Sequence, residues 1–549
     1  MLFCSLPFLC FFLVIFTAYW ALPSRWARAL LLLAGTAVLG YAAWQCFSAA
    51  VVAGGRLAGL RAVNDTLYKS ADWAGLAGAV VLGAATAWRF GVDRGRVLLL
   101  LGASFYFYAS WSQQLALIIC ASTATDYLIA RGLARFSAAR WRRLLVGISV
   151  VGNLGLLCYF KYANFFLQSL ETTVHALGAS ASLPVLKVML PIGISFYTFE
   201  AISYTIDVYR RRIPAEKNLF HFMLFISFFP HLVAGPIVRA RDFLPQVRRP
   251  KRWNWARLDL GARYFLIGMF KKMVIADRMA MFADPVFANP NQYGAVAVWV
   301  AMIAYALQIY CDFSGYSDMA IGTAHMLGYK LAKNFDLPYL AANVSEFWHR
   351  WHISLSTWLR DYVYIPLGGN RNSECPRCNG WLTWRNLMVT MTLGGLWHGA
   401  AWTFVLWGVL HGVFLMVHRS FAAFCKRAPM LSRALRSRVG TVLRVAATFL
   451  CVCVAWVFFR APSLREALNF LKRLAPAHHA GLPAPLAYQS FITLAAIVLA
   501  CHVLMYFGVW KRLANRLPGE VLGLAYAALF TVVLTLTPET GKVFIYFQF

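Results

Sequence analysis

Charged side chains are scarce in this chain. Asp, Glu, Lys and Arg make up 13% of the 549 residues, whereas 60% are hydrophobic and 16% are aromatic. An ordinary soluble protein is excluded, because so little polar surface could not cover that much apolar surface. Each membrane crossing needs about 20 apolar residues, and the apolar runs predict roughly a dozen helices, some of them short or re-entrant. The composition therefore predicts an all-α polytopic membrane protein surrounded by a lipid bilayer.

Acidic residues are scarcer still, with 21 Asp and Glu against 52 Lys and Arg and a net charge of +31. A charge of this size could indicate a nucleic-acid partner. The basic residues instead lie in short clusters between apolar runs, which is typical of cytoplasmic loops. The clusters lie at 131–143, 210–212, 248–252, 271–272, 436–444 and 511–516. No soluble basic domain remains to carry nucleic-acid binding, so that partner is excluded.

The chain also lacks a complete metal-site motif. Most of its twelve cysteines lie in apolar runs, where a thiol behaves as a small hydrophobic group. Cys375 and Cys378 have the spacing of metal ligands, but no second pair and no Cys or His partner follows at zinc-site distance. We interpret them as a reduced thiol pair in a loop and predict no metal site.

The first apolar run lacks the basic segment and the clear cleavage site of a signal peptide. Arg25 and Arg28 follow this run instead of preceding it. We therefore predict a retained first helix with its N-terminus outside the cytoplasm, on the periplasmic side. Spans are predicted near 5–22, which is this first helix, and near 29–51, 73–90, 96–111, 114–131, 143–160, 187–206, 219–236, 259–276, 296–310, 385–417, 441–459, 487–509 and 521–537.

Three segments do not have the pattern of a simple span. They cover 229–239, with two prolines and a histidine, 311–318, with two aspartates, and 345–364, which mixes aromatic and ionisable residues. Polar groups and broken backbone are tolerated at membrane depth only where protein or a wet cavity shields them. The three segments predict a polar pocket inside a helical bundle. Asp312 and Asp318 could coordinate an ion, but pairing with basic residues is favoured.

The first candidate site string is Phe347-Trp-His-Arg-Trp-His-Ile-Ser-Leu-Ser356. If it forms one helix, residues four apart share a face, which places Trp348 beside His352 with Ser356 one turn further. His349 would face the rim, and His352 is favoured for chemistry. The predicted pocket residues of this string are Trp348, Trp351, Ser354 and Ser356.

The second candidate string is Gly394-Gly-Leu-Trp-His-Gly-Ala400. His398 is flanked by Gly394, Gly395 and Gly399, which allow a neighbouring backbone or a substrate to approach closely. The side chains of Trp397 and Trp402 could line the walls of the site around His398. The glycines also predict that the 385–417 run is broken into two helices. An imidazole is suited to take a proton from a hydroxyl nucleophile, so His398 is predicted to be a general base.

Each histidine could also have a purely structural role, because a single histidine can form a hydrogen bond between two membrane helices. It is favoured for four histidines that lack a polar context: His221, His325, His411 and His418. It is disfavoured for His352 and His398 because polar groups are dense around both. Tryptophans, too, are more often packing or interfacial residues than pocket walls.

The two strings, read as FWHRWHISLSTWLRDYVYIPLGGNR and LGGLWHGAAWTFVLWGVLHG, resemble the signature of the membrane-bound O-acyltransferase family. Upstream, NLGLLCYFKYANFF, LPIGISFYTFEAISYTIDVYR and FPHLVAGPIVRARDFLPQ, with the terminal FIYFQF, are similar to its alginate O-acetylation branch. The resemblance implies a ring of tilted helices around a thin centre, with a funnel on each side of the bilayer. It also implies that His398 is the catalytic histidine and His352 the second one.

The resemblance covers residues 96–549, which are predicted to form the catalytic core, and a short piece at the start. Residues 1–95 are predicted to hold N-terminal membrane helices, with an apparent insertion at about 45–94 that would add one or two helices. A second departure from the family pattern is 372–380, where Cys375 and Cys378 stand in place of a short basic linker.

The resemblance further implies that an acetyl group from a cytoplasmic thioester donor, acetyl-CoA or similar, reaches a periplasmic partner that acetylates an exopolysaccharide. We expect such a protein in a bacterial inner membrane. Basic loop residues could attract the donor phosphates, and the candidates are Arg371, Lys330 and Lys333. The alternatives are a transporter or flippase, for which internal repeats are lacking, and a non-catalytic scaffold of a secretion machine.

Overall fold

The fold was obtained as a computed structural model that describes residues 3–53, 57–179, 182–186, 188–370, 379–475, 481–514 and 516–537. These residues form helices and connecting loops, with a single isolated bridge between Tyr293 and Leu482 in place of any strand. The all-α prediction is confirmed. Cys375, Cys378, Arg371 and the terminal FIYFQF string lie outside the described residues.

The first twelve helices are α1 (Leu6–Ala21), α2 (Arg25–Ala53), α3 (Leu57–Phe90), α4 (Val92–Ala109), α5 (Gln113–Arg135), α6 (Ala139–Leu157), α7 (Ala163–Ala176), α8 (Ile194–Tyr209), α9 (Leu219–Ser227), α10 (Phe229–Leu232), α11 (Ala240–Arg248) and α12 (Trp255–Met269). A π-helical turn at Cys158–Tyr162 joins α6 to α7, and a second one at Phe270–Ala276 follows α12. Most of the predicted insertion at 45–94 is occupied by the end of α2 and by α3.

The remaining helices are α13 (Asp277–Ala288), α14 (Ala295–Met326), α15 (Val344–Arg350), α16 (Ile353–Leu359), α17 (Asn379–His398), α18 (Trp402–Arg427), α19 (Pro429–Arg436), α20 (Arg438–Arg460), α21 (Leu464–Arg473), α22 (Tyr488–Tyr506), α23 (Val509–Ala514) and α24 (Gly519–Leu536). A third π-helical turn, Arg360–Tyr364, follows α16. Single 3-10 turns lie at Pro290–Gln292 and Pro338–Leu340.

Eight helical segments of the described chain are long and apolar enough to cross a membrane. They are Arg25–Gln45, Gln113–Arg135, Ala139–Ala176, Ala295–Met326, Trp402–Arg427, Arg438–Arg460, Tyr488–Tyr506 and Gly519–Leu536. The protein is therefore a multi-pass membrane protein, as predicted. Other helices are shorter or more polar, such as α8, whose side chains are almost all buried although they include Glu200 and Asp207.

Two of the predicted spans that border polar segments have wrong ends. The span predicted at 296–310 was ended before Cys311, but α14 continues to Met326 and carries Asp312 and Asp318 inside it. The span predicted at 219–236 ends at Ser227 instead. A separate short helix, α10, begins at Phe229, and its Pro230 cannot donate the backbone hydrogen bond that would continue α9.

The aspartates of α14 are tolerated because each meets a lysine of the π-helical turn after α12. Lys271 Nζ lies 2.6 Å from an Asp318 oxygen, and Lys272 Nζ lies 2.8 Å from both Asp312 and Asp277. A carboxylate kept from water is stabilised only when it is paired in this way. The interpretation that these aspartates pair with basic residues is confirmed.

The described chain divides into two compact units. The first unit comprises Met1–Leu157, Pro191–Ala262 and Ala320–Leu331. Phenylalanine rings from several helices pack in its core, with Phe8, Phe11, Phe107 and Phe229 at centroid distances of 5.1 to 6.5 Å. The second unit comprises Cys158–Leu190, Arg263–Met319 and Ala332–Phe549, and it contains both candidate histidine strings.

Candidate active site

The first histidine string does not form one helix. Helix α15 ends at Arg350, α16 begins at Ile353, and His352 between them has φ 42° and ψ 55°. This left-handed backbone costs a non-glycine residue about 1–3 kcal/mol and is found mainly where the surroundings enforce it. The prediction that Trp348 and His352 share one helical face is therefore wrong, because the helix is broken between them.

Asn334 enforces the conformation of His352. Its Oδ1 atom lies 3.1 Å from His352 Nδ1, and it accepts hydrogen bonds from Ser354 Oγ at 2.9 Å and from the Ser354 backbone N–H at 3.2 Å. The Asn334 backbone oxygen also accepts from Ile353 N at 2.9 Å. The side chains of Asn334, His352 and Ser354 are all buried. Asn334 thus binds the residues between α15 and α16 and fixes the position where α16 begins.

The same contacts fix the tautomer of His352. A backbone N–H can only donate, so the atom of Asn334 that meets Ser354 N must be the amide oxygen. That oxygen accepts at His352 Nδ1, which therefore carries the proton of the neutral ring. The lone pair is left on Nε2. His352 is thus arranged as a hydrogen-bond acceptor.

His398 is the last residue of α17, and the chain turns through Gly399 before α18 begins at Trp402. The predicted break in the 385–417 run is confirmed. A Cβ on Gly395 would overlap the carbonyl oxygen of Phe404 and lie 3.0 Å from Gly408 Cα. A Cβ on Gly399 would overlap the Phe404 ring. These two glycines therefore serve the close packing of α17 against α18.

The structure brings the two histidines together. The ring centroids of His352 and His398 are 6.4 Å apart, although 46 positions separate them in the sequence. Trp397 lies beside both rings, at 5.8 Å from His352 and 4.9 Å from His398. Both imidazoles are buried, with 0% of His352 and 4% of His398 exposed. Buried imidazoles this close together form a coherent candidate site.

Other predicted pocket residues are placed around this centre. Trp351 is fully buried and packs on Trp456 at 5.0 Å. Ser356 Oγ donates to the Trp351 backbone oxygen at 3.1 Å, so it supports the turn. Gly394 is less crowded, with Leu359 Cδ1 3.0 Å from a built Cβ. Trp402 is 56% exposed and does not form a wall of the buried site.

Trp348 belongs to a neighbouring buried pair. Its indole N–H donates to Nδ1 of His411 at 3.2 Å. Trp407 separates this pair from the candidate site, with its ring 4.8 Å from His411 and 5.0 Å from His398. This hydrogen bond joins α15 to α18, which agrees with the structural role predicted for His411. Trp407 was not singled out from the sequence, because one more tryptophan in an apolar run carries no distinctive signal.

The carbonyl end of α17 is bound by the π-helical turn at Cys158–Tyr162. Lys161 Nζ donates to the backbone oxygens of Trp397 at 2.7 Å and His398 at 2.9 Å. Tyr162 Oη donates to the Leu396 oxygen at 2.8 Å. The last carbonyls of a helix lack intrahelical partners and carry its partial negative charge, which a cation satisfies. An isolated lysine in an apolar run is the signal that could have revealed this role.

Replacing Lys161 with Met is expected to destabilise the protein by about 1–3 kcal/mol, since it leaves two buried carbonyls without their charged donor. Tyr162→Phe is the matched control, which removes one neutral hydrogen bond and should cost about 1 kcal/mol. Unfolding temperatures of the purified proteins in one detergent compare them. An equal or smaller drop for Lys161→Met would contradict this assignment.

Two of the residues predicted to bind the acyl donor, Lys330 and Lys333, lie in the described part of the chain. Lys333 Nζ is exposed and pairs with Asp336 at 2.6 Å. Lys330 is exposed in the first unit, where its backbone N–H donates to Gln246 Oε1 at 2.8 Å. No described contact joins either lysine to the candidate site, and their role stays a prediction.

Another buried histidine, His231, lies in the first unit. His231 Nε2 is 3.3 Å from Glu200 Oε2, and Glu200 Oε1 accepts from the Val238 backbone N–H at 2.8 Å. Both side chains are 1% exposed. This pair explains how the 229–239 segment keeps a histidine among apolar residues, because its Nε2 atom faces the Glu200 carboxylate.

The family model for membrane-bound O-acyltransferases matches residues 147–461, which include both histidines and the helices that hold them. The chain belongs to the membrane-bound O-acyltransferase family. This acyltransferase is also 42% identical to a Pseudomonas aeruginosa protein named "Probable alginate O-acetylase AlgI" over 430 residues, which cover 76% of this chain and 77% of the relative. The family resemblance of the sequence motifs is confirmed.

Relatives of this acyltransferase differ in their named substrates. A peptidoglycan O-acetyltransferase of Helicobacter pylori is 37% identical over 401 residues, covering 68% of this chain and 73% of the relative. A teichoic acid D-alanyltransferase of Bacillus subtilis is 28% identical over 284 residues, covering 49% of this chain and 68% of the relative. The three names share the transfer of a small acyl group, which is acetyl for alginate and peptidoglycan and D-alanyl for teichoic acid.

Proposed function

We propose that this protein moves an acetyl group from a cytoplasmic thioester, acetyl-CoA or a similar donor, towards the hydroxyl groups of an exopolysaccharide such as an alginate-like or cellulose-like polymer. The proposal places it in a bacterial inner membrane with a periplasmic N-terminus. A periplasmic acetyltransferase or acyl-accepting partner would complete the transfer. The names of the acetylating relatives support this choice of acyl group and polymer class.

The observation that carries the proposal is the meeting of His352 and His398 in a buried site. In the proposed reaction His398 takes the proton of an acceptor hydroxyl. The oxygen of that hydroxyl attacks the thioester carbonyl carbon at the same time. The carbon–sulfur bond then breaks, and the protonated His398 returns the proton to the departing sulfur. No proton is gained or lost overall, and the histidine ends as it began.

His352 has a different task in this scheme. Its Nδ1–H is bonded to Asn334, so Nε2 can accept a hydrogen bond from a substrate and hold the acceptor in line with the carbonyl. The rings of Trp397, Trp407 and Phe459 surround His398 at 4.9 to 5.2 Å. Apolar walls of this kind keep water from competing with the acceptor for the acyl group.

The test of this function is the acetyl content of the secreted polymer from cells with and without the protein. We expect O-acetyl groups to be lost in the deletion strain and restored by the wild-type gene, while the amount of polymer stays the same. Loss of polymer secretion with unchanged acetylation would favour a scaffold. Purified protein in vesicles should also consume labelled acetyl-CoA, whereas transport of an intact substrate without acyl transfer would contradict the proposal.

A further inference from the structure

A groove lies between α18, α19 and α20 in the second unit. Its volume is about 520 Å³, and most of its lining is apolar, including Phe414, Val417, Phe421 and Ala447. Helices α18 and α20 are both long and apolar enough to span a membrane. Two walls of the groove therefore belong to helices that can cross the bilayer, and their apolar side chains suit a hydrocarbon chain.

Cations line one end of this groove. Lys426, Arg436 and Arg444 contribute to its lining. Arg444 is held in place, because its Nε donates to the Leu435 backbone oxygen at 3.1 Å and its Nη2 to Thr441 Oγ1 at 3.3 Å. A guanidinium fixed in this way presents its remaining N–H groups without a further loss of conformational freedom.

No acidic residue offsets these cations along the segment that builds the groove. The sequence from 402 to 460 contains no Asp or Glu, while its cations from 419 to 444 are Arg419, Lys426, Arg427, Arg433, Arg436, Arg438 and Arg444. Helix α15, whose cap Asn343 also lines the groove, does carry Glu346, but that carboxylate pairs with Arg350 at 2.7 Å. The cationic end of the groove therefore attracts anions.

We propose that this groove binds an anionic phospholipid, with the phosphate against Lys426, Arg436 and Arg444 and an acyl chain along α18 and α20. Basic pockets between membrane helices at the cytoplasmic face are suited to lipid headgroups. The positive-inside rule places a cluster of this density on that face. A free phosphate would use the cations alone, whereas the apolar walls beside them require a ligand with a hydrocarbon part.

The groove is also connected to the candidate site through α15. Asn343 accepts a hydrogen bond from Glu346 N at 2.9 Å and so begins the helix whose far end leads into His352. Trp348 of α15 bonds to His411 of α18. A lipid in the groove would therefore stabilise the packing of α15 against α18. Lipid binding itself does not depend on the proposed acetyl transfer.

The test measures lipid retained by the full-length protein in vesicles that contain equal amounts of phosphatidylglycerol and phosphatidylcholine. After extraction, native mass spectrometry should show phosphatidylglycerol enriched at least tenfold over phosphatidylcholine. The double variant Lys426→Gln/Arg436→Gln should lose this enrichment. The matched control Arg140→Gln/Arg143→Gln, which removes two exposed cations of another basic cluster, should keep it.

A second variant separates a lipid from a free anion. Ala447→Trp fills the apolar part of the groove and leaves every cation in place, so it should also abolish the enrichment. Circular dichroism confirms that each variant is folded. Equal retention of both lipids by the wild type, retention by the Lys426/Arg436 variant, or displacement of phosphatidylglycerol by millimolar inorganic phosphate would each overturn the proposal.

Discussion

Replacing His398 with Ala is expected to reduce acetyl transfer by about 10²- to 10⁴-fold, which is the usual contribution of a general base. Among the described residues, His352 is the imidazole that lies beside His398, and its ring centroid is 6.4 Å away. Asn334 holds His352 in place, so its ring does not move into the position of the missing base. The measurement is the rate at which vesicles containing the variant consume labelled acetyl-CoA. The O-acetyl content of the polymer gives an independent readout in cells.

His349→Ala is the control for this experiment. His349 belongs to the same string as His352, is exposed, and bonds through Nδ1 to the Ser345 backbone oxygen at 2.7 Å. Its removal should leave the rate within about twofold, because surface substitutions rarely disturb a buried site. Intact transfer by a folded His398→Ala protein would refute the assigned base. A loss of equal size in His349→Ala would show that the effect is not specific.

Replacing His352 with Gly and with Ala is expected to separate activity from stability. Both variants lose the Nε2 acceptor, so both should be slowed by about 10²-fold, as expected when a reacting group is no longer positioned. They also lose the same ring packing against Phe313, 4.7 Å away. They differ in the backbone, because glycine adopts φ 42° without strain and alanine does not.

His352→Gly should therefore be more stable than His352→Ala by about 1 kcal/mol. Unfolding temperatures in one detergent and acetyl-transfer rates in vesicles are the two measurements. Equal stability would show that the left-handed conformation is relaxed in the variants. Wild-type activity in His352→Gly would show that the imidazole has no part in the reaction.

The break at His398 could be predicted from the sequence, whereas the break at His352 could not. Glycines mark the first one locally, and the structure shows why they are needed, since Gly395 packs against the backbone of α18. Nothing around His352 interrupts a helix by local preference. The break there depends on Asn334, 18 positions earlier, which takes hydrogen bonds from three successive residues. Such a contact arises from tertiary structure and leaves no periodic signal.

The candidate histidines were predictable because polar groups are costly at membrane depth and therefore conspicuous. Their supporting residues were less so. Lys161 is also ionisable in an apolar run, but it bonds to backbone oxygens, which every residue carries, so no sequence pattern points to its partner. The aspartates of α14 were identified correctly as paired, yet their presence led to a wrong end for the helix, because the lysines that neutralise them come from a separate segment.

Those lysine–aspartate pairs have a consequence for biogenesis. An aspartate at the centre of a helix opposes entry into the bilayer by about 2.5–3.5 kcal/mol, and α14 carries Asp312 and Asp318. The partners Lys271 and Lys272 emerge from the ribosome about forty residues earlier, so they are already made when α14 reaches the membrane. We expect the two segments to enter the membrane together, so that each aspartate is paired with its lysine. Synthesis order and electrostatics thus favour joint insertion of α14 and the lysine-bearing turn after α12.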